Sequence, residues 1–333
     1  MSGVARRASR GFGLVEMMVA LTLGLLVVGG ASVLFMATRQ TTGSTDNLSR
    51  VQESVRTSYD LMTREAREAG GTPCDAQLLM ANVLNNAQNP NPAWWAPWGE
   101  PVHGWDGATA AAGVAFGAGV GQRVAGTAAL LVRYGAALDP LTITAHDSGT
   151  QTFTANQANL GFVSGDLLMV CNYKQGAIFQ VSAVDTVNGT FAHPSGAGAP
   201  GNCSAGLGIP TVCNNPGSTY QFSSGSLVGR YTVSLWYIGN NGHPETGGRS
   251  LYRMTPRGAE EVADGVRDMQ LGFLASGGPD YVAAAAVADW TQVMAVRFDL
   301  SFEGPDAGSS TTANGARMTR NVAYTVNLRN LQP

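Results

Sequence analysis

One carboxylate, Glu16, stands alone in the most apolar stretch of this 333-residue sequence, as the only charge between Phe12 and Ala37. A carboxylate inside such a run costs roughly 2.5–3.5 kcal/mol even on lenient membrane-insertion scales, so its presence implies a use. Met17 to Ala37 is long enough to span about 32 Å as a helix, roughly the core of a bilayer. Arg6, Arg7 and Arg10 precede the run, which puts the N-terminus in the cytoplasm and the remainder outside. A cleavable secretory signal ending at Gly29-Gly30-Ala31 and a plain anchor are two readings of such a segment. Neither has a use for Glu16.

Elsewhere the residue types that do chemistry are scattered. His103, His146, His193 and His243 show no metal-ligand spacing, and no metal or cofactor is expected. His146-Asp147-Ser148 has the residue types of a hydrolytic triad, but triad members converge in space while neighbours on a loop point apart. No catalytic residue, and no enzyme, is expected. Lys174 is the sole lysine and follows Asn172-Tyr173 rather than glycine, which excludes a phosphate-binding P-loop. Gly117-Ala118-Gly119-Val120-Gly121 has Gln122 where a dinucleotide fingerprint needs its last glycine. Asp264, Asp268 and Glu245 fall short of a calcium loop. Trp94, Trp95, Trp98 and Trp105 share a Pro/Gly-rich stretch. Trp94 and Trp95 could offer rings to a ligand or partner protein, or pin a long loop to the body.

Cys74, Cys171, Cys203 and Cys213 form no Cys-x-x-Cys pair, so neither a zinc knuckle nor a redox motif is suggested. In an exported domain four cysteines permit two disulfides with three connectivities. Cys203 with Cys213 is preferred because it staples the Gly/Pro-rich stretch between them, leaving Cys74 for Cys171; buried free thiols are the alternative. Net charge is −3, and about −6 if the three N-terminal arginines are removed, so no general basic field draws the chain to nucleic acid. The 43 glycines point to many turns rather than a mostly helical body.

The element that must carry Glu16 is a long helix. Beyond the apolar run, Leu48, Val51, Val55, Tyr59, Met62, Ala66 and Ala69 follow at steps of three or four, one face of an amphipathic helix. Arg50, Glu53, Arg56, Arg64, Glu65, Arg67 and Glu68 occupy other faces and read as solvated. Gly70-Gly71 and Pro73 end the helix, which would span on the order of 87 Å from Phe12 to Ala69 if Gly29, Gly30 and Gly43 do not break it. Strands are expected at Ala128–Tyr134, Leu167–Cys171, Ala177–Val184, Tyr231–Ile238, Val293–Phe302 and Arg317–Leu328, with Leu251–Met254 and Val266–Phe273 as weaker ones. Asn85–Gly126 and Gly196–Ser226 are long loops. The fold class is therefore α+β, one long helix packed on an antiparallel sheet.

Gly11-Phe12-Gly13-Leu14-Val15-Glu16 resembles the processing motif of type IV prepilins. The resemblance implies cleavage by a prepilin peptidase between Gly11 and Phe12 and N-methylation of Phe12. It also implies that Glu16, fifth in the mature chain, pairs with the amine of a neighbouring subunit's first residue during assembly. It divides the chain into a leader (1–11), a membrane and assembly half of the helix (12–37), an amphipathic half (38–70) and a head (71–333). Gly165-Asp166-Leu167-Leu168-Met169-Val170-Cys171 with Ala177-Ile178-Phe179-Gln180-Val181 is similar to the central region of PilW-type minor pilins. Asp264-Gly265-Val266-Arg267-Asp268-Met269-Gln270-Leu271 and Val293-Met294-Ala295-Val296-Arg297 are similar to their C-terminal region, shared more loosely with J-type pseudopilins of type II secretion.

The expected role is a structural subunit that helps initiate pilus assembly and stays at the tip. Its partners would be other minor pilins, the major pilin and a tip adhesin, first in the inner membrane and then on the cell surface. A secretion pseudopilin and an adhesive or DNA-binding tip module are the alternatives. Some tip pseudopilins lack the fifth-position glutamate, so Glu16 argues against that capping role.

Overall fold

The computed structural model describes residues 13–74, 78–88, 92–196, 198–304 and 317–331, without the side chains of residues 86, 88, 139 and 140. Gly11 and Phe12, and with them the expected cleavage site, lie outside the described residues. Helix α1 (Leu14–Glu68) is unbroken. A Cβ at Gly29 or Gly30 would meet nothing within 4 Å, so these glycines mark no close packing inside the chain. At the other end Gly70 turns the chain with φ +73°, and a Cβ there would lie 2.7 Å from Leu331. Glycine is required at that turn.

Two sheets follow. The larger contains β1 (Met80–Asn82), β2 (Val102–Trp105), β3 (Ala129–Asp147), β4 (Thr152–Ala155), β5 (Leu167–Cys171), β6 (Gly176–Gln180), β7 (Ala183–Asp185), β8 (Thr190–Ala192), β9 (Leu227–Asn240), β10 (Arg249–Thr255) and β11 (Gly258–Asp264). Its main path runs β1-β6-β5-β9-β3-β4-β8-β7, with β2 on β3 and the hairpin β10–β11 on the far half of β9. The smaller sheet is β12 (Val266–Ala275), β13 (Val293–Glu303) and β14 (Thr319–Asn327), in that order. All pairs are antiparallel except β1 with β6, a parallel pair that the expected antiparallel sheet did not include.

The buried stripe of α1 differs in part from the expected one. Val51, Met62, Ala66 and Ala69 are buried as their spacing predicts, but Leu48 and Tyr59 stay 39% and 40% exposed. Asn47, Ser58, Thr63 and Glu65 are buried instead. The reason is that α1 touches both sheets, β13 and β14 of the smaller and β3 and β11 of the larger, which widens the covered face beyond one apolar stripe. Its apolar residues join Trp236, Phe273, Phe298, Leu300 and Phe302 in one core. A second core gathers Phe153, Phe162, Phe179, Phe191 and Phe222 around β4, β6 and β8, and a third gathers Leu131, Met169, Tyr231, Leu235 and Tyr237.

Candidate functional site

From Gly13 to Thr42 every residue of α1 is exposed. Leu14 at 78% and Leu25 at 73% are typical of this surface, which none of the described residues of the head covers. Its hydroxyl side chains bond within the helix: those of Thr22, Ser32 and Thr38 donate to the carbonyls of Val19, Val28 and Leu34 at 2.9, 2.8 and 2.8 Å. That arrangement suits a hydrocarbon environment. Glu16 is held differently. Its Oε2 accepts the Gly13 N–H at 3.2 Å, placing negative charge at the positive end of the helix. This uses part of the carboxylate's capacity and leaves it able to accept from a cation. Among the described residues α1 is the helix long and apolar enough to cross a membrane.

Where α1 enters the head, Glu65 corrects the expectation of a solvated charged face. It is 4% exposed. Trp236 Nε1 donates to one oxygen at 2.7 Å and Arg253 Nη1 to the other at 2.8 Å. Arg253 also pairs with Glu260, and its guanidinium lies 5.8 Å from the Trp236 ring centre. Burial would lower the Arg253 pKa, but Glu65 and Glu260 outweigh it and raise the value. The carboxylate thus ties helix to sheet through two bonds that carry charge.

The tryptophan-bearing loop is held chiefly through its backbone. Arg133, 5% exposed, donates to the carbonyls of Glu100 and, at 3.0 Å, Trp94; burial lowers its pKa, with Tyr231 and Glu100 opposing. The Tyr231 hydroxyl lies 2.9 Å from the carbonyls of both Trp95 and Pro97. Arg123, wholly buried, donates to Thr109, Asp106 and Thr127 carbonyls, and burial pulls its pKa down to about 10 against Asp106. Trp94, Trp95, Trp98 and Trp105 are all half-buried against the third core, and Trp94 sits so close to Gly113 that a Cβ there would be 2.7 Å from its ring. Trp95 also borders an open groove with Tyr231, Arg230 and Arg257. In that groove Asp166 accepts from Arg230 Nη1 at 3.0 Å and from Arg257. Half-burial and backbone clamping are what pinning the loop requires; the groove edge of Trp95 is the part left for contact.

His146 and His193, 47 residues apart, meet at 3.1 Å between their Nε2 atoms. No sequence spacing signals this pair. Both are buried, with Phe153 stacked 4.1 Å from the His146 ring. Because the Phe222 N–H donates to His146 Nδ1 at 3.1 Å, neutral His146 carries its proton on Nε2 and donates it to His193. His193 then holds its proton on Nδ1, which has no partner. Burial pushes His146 down to about 4, with Asp147 opposing, and His193 to about 3, with His146 adding to the effect. Asp147 turns outward instead and accepts from the Gly149 and Thr150 N–H groups at 2.8 and 3.2 Å. His146 and Asp147 therefore point apart. Among the described residues no three His, Cys, Asp or Glu side chains cluster as metal ligands.

Cys74 is bonded to Cys171 and Cys203 to Cys213. The first ties the segment just after α1 to β5, and the second closes the loop before β9. Residues 6–32 match the family model described as the prokaryotic N-terminal methylation motif. No curated protein and no solved structure matches the chain. The motif implies processing by a prepilin peptidase and assembly with other pilins, and the exposed apolar helix fits membrane anchoring before that assembly. In its N-terminal motif, its long helix and its mostly antiparallel α+β head, the chain is type IV pilin-like.

Proposed function

We propose that this chain is a PilW-type minor pilin, a structural subunit without enzymatic activity that helps initiate type IV pilus assembly and remains at the tip. The observation that carries the reading is Glu16, a lone carboxylate on an apolar helix surface that none of the described residues covers. Lipid covers such a surface before assembly and neighbouring helices cover it afterwards, and the carboxylate then meets the amine of another subunit's first residue. One feature favours a minor over a bulk subunit: segments 165–181 and 264–271 resemble the PilW type.

Glu16→Ala tests the proposal. The variant is processed like the wild type but is missing from sheared filaments, and cells carrying it make several-fold fewer filaments, counted by electron microscopy. Normal filament numbers with the variant incorporated at wild-type level would contradict the role of Glu16.

A further inference from the structure

The smaller sheet ends on β14, and among the described residues no strand pairs with its outer side. The ladder shows which backbone groups are left over. Gly304 N donates to Met318 O and Leu328 N to Met294 O, both at 2.8 Å. Positions 318 and 328 are thus hydrogen-bonded ones, and in an antiparallel pair such positions alternate. Residues 320, 322, 324 and 326 bond to β13, so the N–H and C=O groups of Thr319, Asn321, Ala323, Thr325 and Asn327 point away from the sheet. All five residues are exposed.

Free edges are usually blunted by shortness, charge, proline or bulges. The other edges among the described residues are blunted or covered: β1 and β7 have three residues each and β2 four, β11 carries Glu260 and Glu261 on a ladder with a register shift, and β12, at the opposite edge of the smaller sheet, carries Arg267 and Asp268, has two register shifts and is met on its outer side by the backbones of Ala128 and Val282. By contrast β14 is nine residues long, has no proline, no lysine and no register shift, and carries Arg320 as its one charge. At about 3.4 Å per residue it offers roughly 30 Å of open ladder.

The edge also continues the surface that α1 brings to assembly. Tyr59, 40% exposed on α1, packs its ring edge-on 4.9 Å from Tyr324 of β14. A groove runs between Tyr59, Asp60, Arg64 and Arg67 of α1 and Arg329 and Asn330 just beyond β14. The edge thus lies beside the head-packed half of α1, which continues the exposed half without a break.

We propose that β14 takes up an extended segment of a neighbouring pilin-like subunit as a fourth strand, a surface whose use rests on the reading of the chain as such a subunit. The incoming segment has at least five residues of alternating character. Its apolar side chains extend the row of Val322, Tyr324 and Val326 and cover Tyr59, and its polar ones lie beside Asn321, Ala323 and Thr325. Main-chain bonds supply the attachment, and the alternation sets the register.

The test uses the full-length chain in the bacterium that makes it, with a photo-crosslinking amino acid at Asn321 or Thr325. Illumination joins the chain to a peptide from the head of a protein that itself carries a prepilin processing motif, identified by mass spectrometry. Ala323→Pro removes a donor that the β13 ladder does not use, so the head still folds while the adduct falls roughly tenfold or more. Ala323→Val keeps the N–H and keeps the adduct. Should the proline variant misfold by circular dichroism, Thr319→Lys with Ala323→Lys charges the edge without touching the backbone or the crosslinking position, and the same loss is expected.

If wild-type protein is present in sheared filaments and the edge variants cross-link undiminished, the edge proposal is wrong and the pilin reading stands. If wild-type protein is absent from filaments and yields no adduct with any motif-bearing protein, both readings fail.

Discussion

Glu16 and Glu65 sit on the same helix and meet opposite surroundings. Glu16 faces outward on an apolar surface and caps its own first turn. Glu65 is enclosed and bonded by Trp236 and Arg253. The first was legible because one charge interrupts a long apolar run. The second was not, because Arg64, Glu65, Arg67 and Glu68 look alike as a row and the partners of Glu65 lie more than 170 positions away. Glu65→Ala leaves the Trp236 N–H without its acceptor and Arg253 with Glu260 alone. It should cost about 2–3 kcal/mol, discounted because Arg253 is partly solvated, measured by urea denaturation in detergent.

The histidine pair gives a pH signature at the same scale. Its native pKa values lie below the unfolded value of roughly 6.5, so the unfolded chain binds more protons as pH falls. Stability is complete above about pH 6.5 and declines as pH drops toward 4. The loss between pH 7 and pH 5 is on the order of 2 kcal/mol per histidine. Thermal melts across this range should show the slope, and His146→Phe should reduce it by about half.

At the scale of elements, legibility followed apolar alternation. Leu167–Cys171 coincides with β5, and the expected strands at Tyr231–Ile238, Val293–Phe302 and Arg317–Leu328 differ from β9, β13 and β14 by a few residues at their ends. Where apolar content faded, the reading failed. β3 runs on from the expected Ala128–Tyr134 through to Asp147, because its pairing with β4 and β9 carries it past the Asp139-Pro140 interruption in the sequence. The expected strand Ala177–Val184 is two strands, β6 and β7, which join different neighbours on either side of Val181-Ser182. β11 reads Gly-Ala-Glu-Glu-Val-Ala-Asp and gave no signal, since an exposed hairpin strand is stabilised by its ladder and not by burial. The Asn85–Gly126 loop contains β2 and is organised by the buried Arg123, which a sequence pattern does not distinguish from a surface arginine.

The long-range disulfide belongs to this scale as well. Cys74–Cys171 closes a span of 97 residues between the end of α1 and the centre of the larger sheet. Cys171→Ala should lower the stability of the head by roughly 2–5 kcal/mol. Cys213→Ala, at an exposed position of a ten-residue span, should cost less. Denaturation midpoints of the two variants compare them directly.

For the whole molecule, the arrangement is a membrane-length apolar half-helix continuous with a half-helix clasped between two sheets. Val51, Met62, Glu65 and Ala66 fasten the helix to the head through burial and the Trp236 and Arg253 bonds. Processing of the N-terminus is decisive, because the exposed helix and Glu16 acquire their proposed use only in a mature, assembling subunit. N-terminal sequencing with intact mass of the protein recovered from membranes tests this most directly. The predicted result is a mature chain that begins at N-methylated Phe12, with residues 1–11 removed. A chain beginning near Ser32, or an uncut chain retaining Met1, would contradict the account.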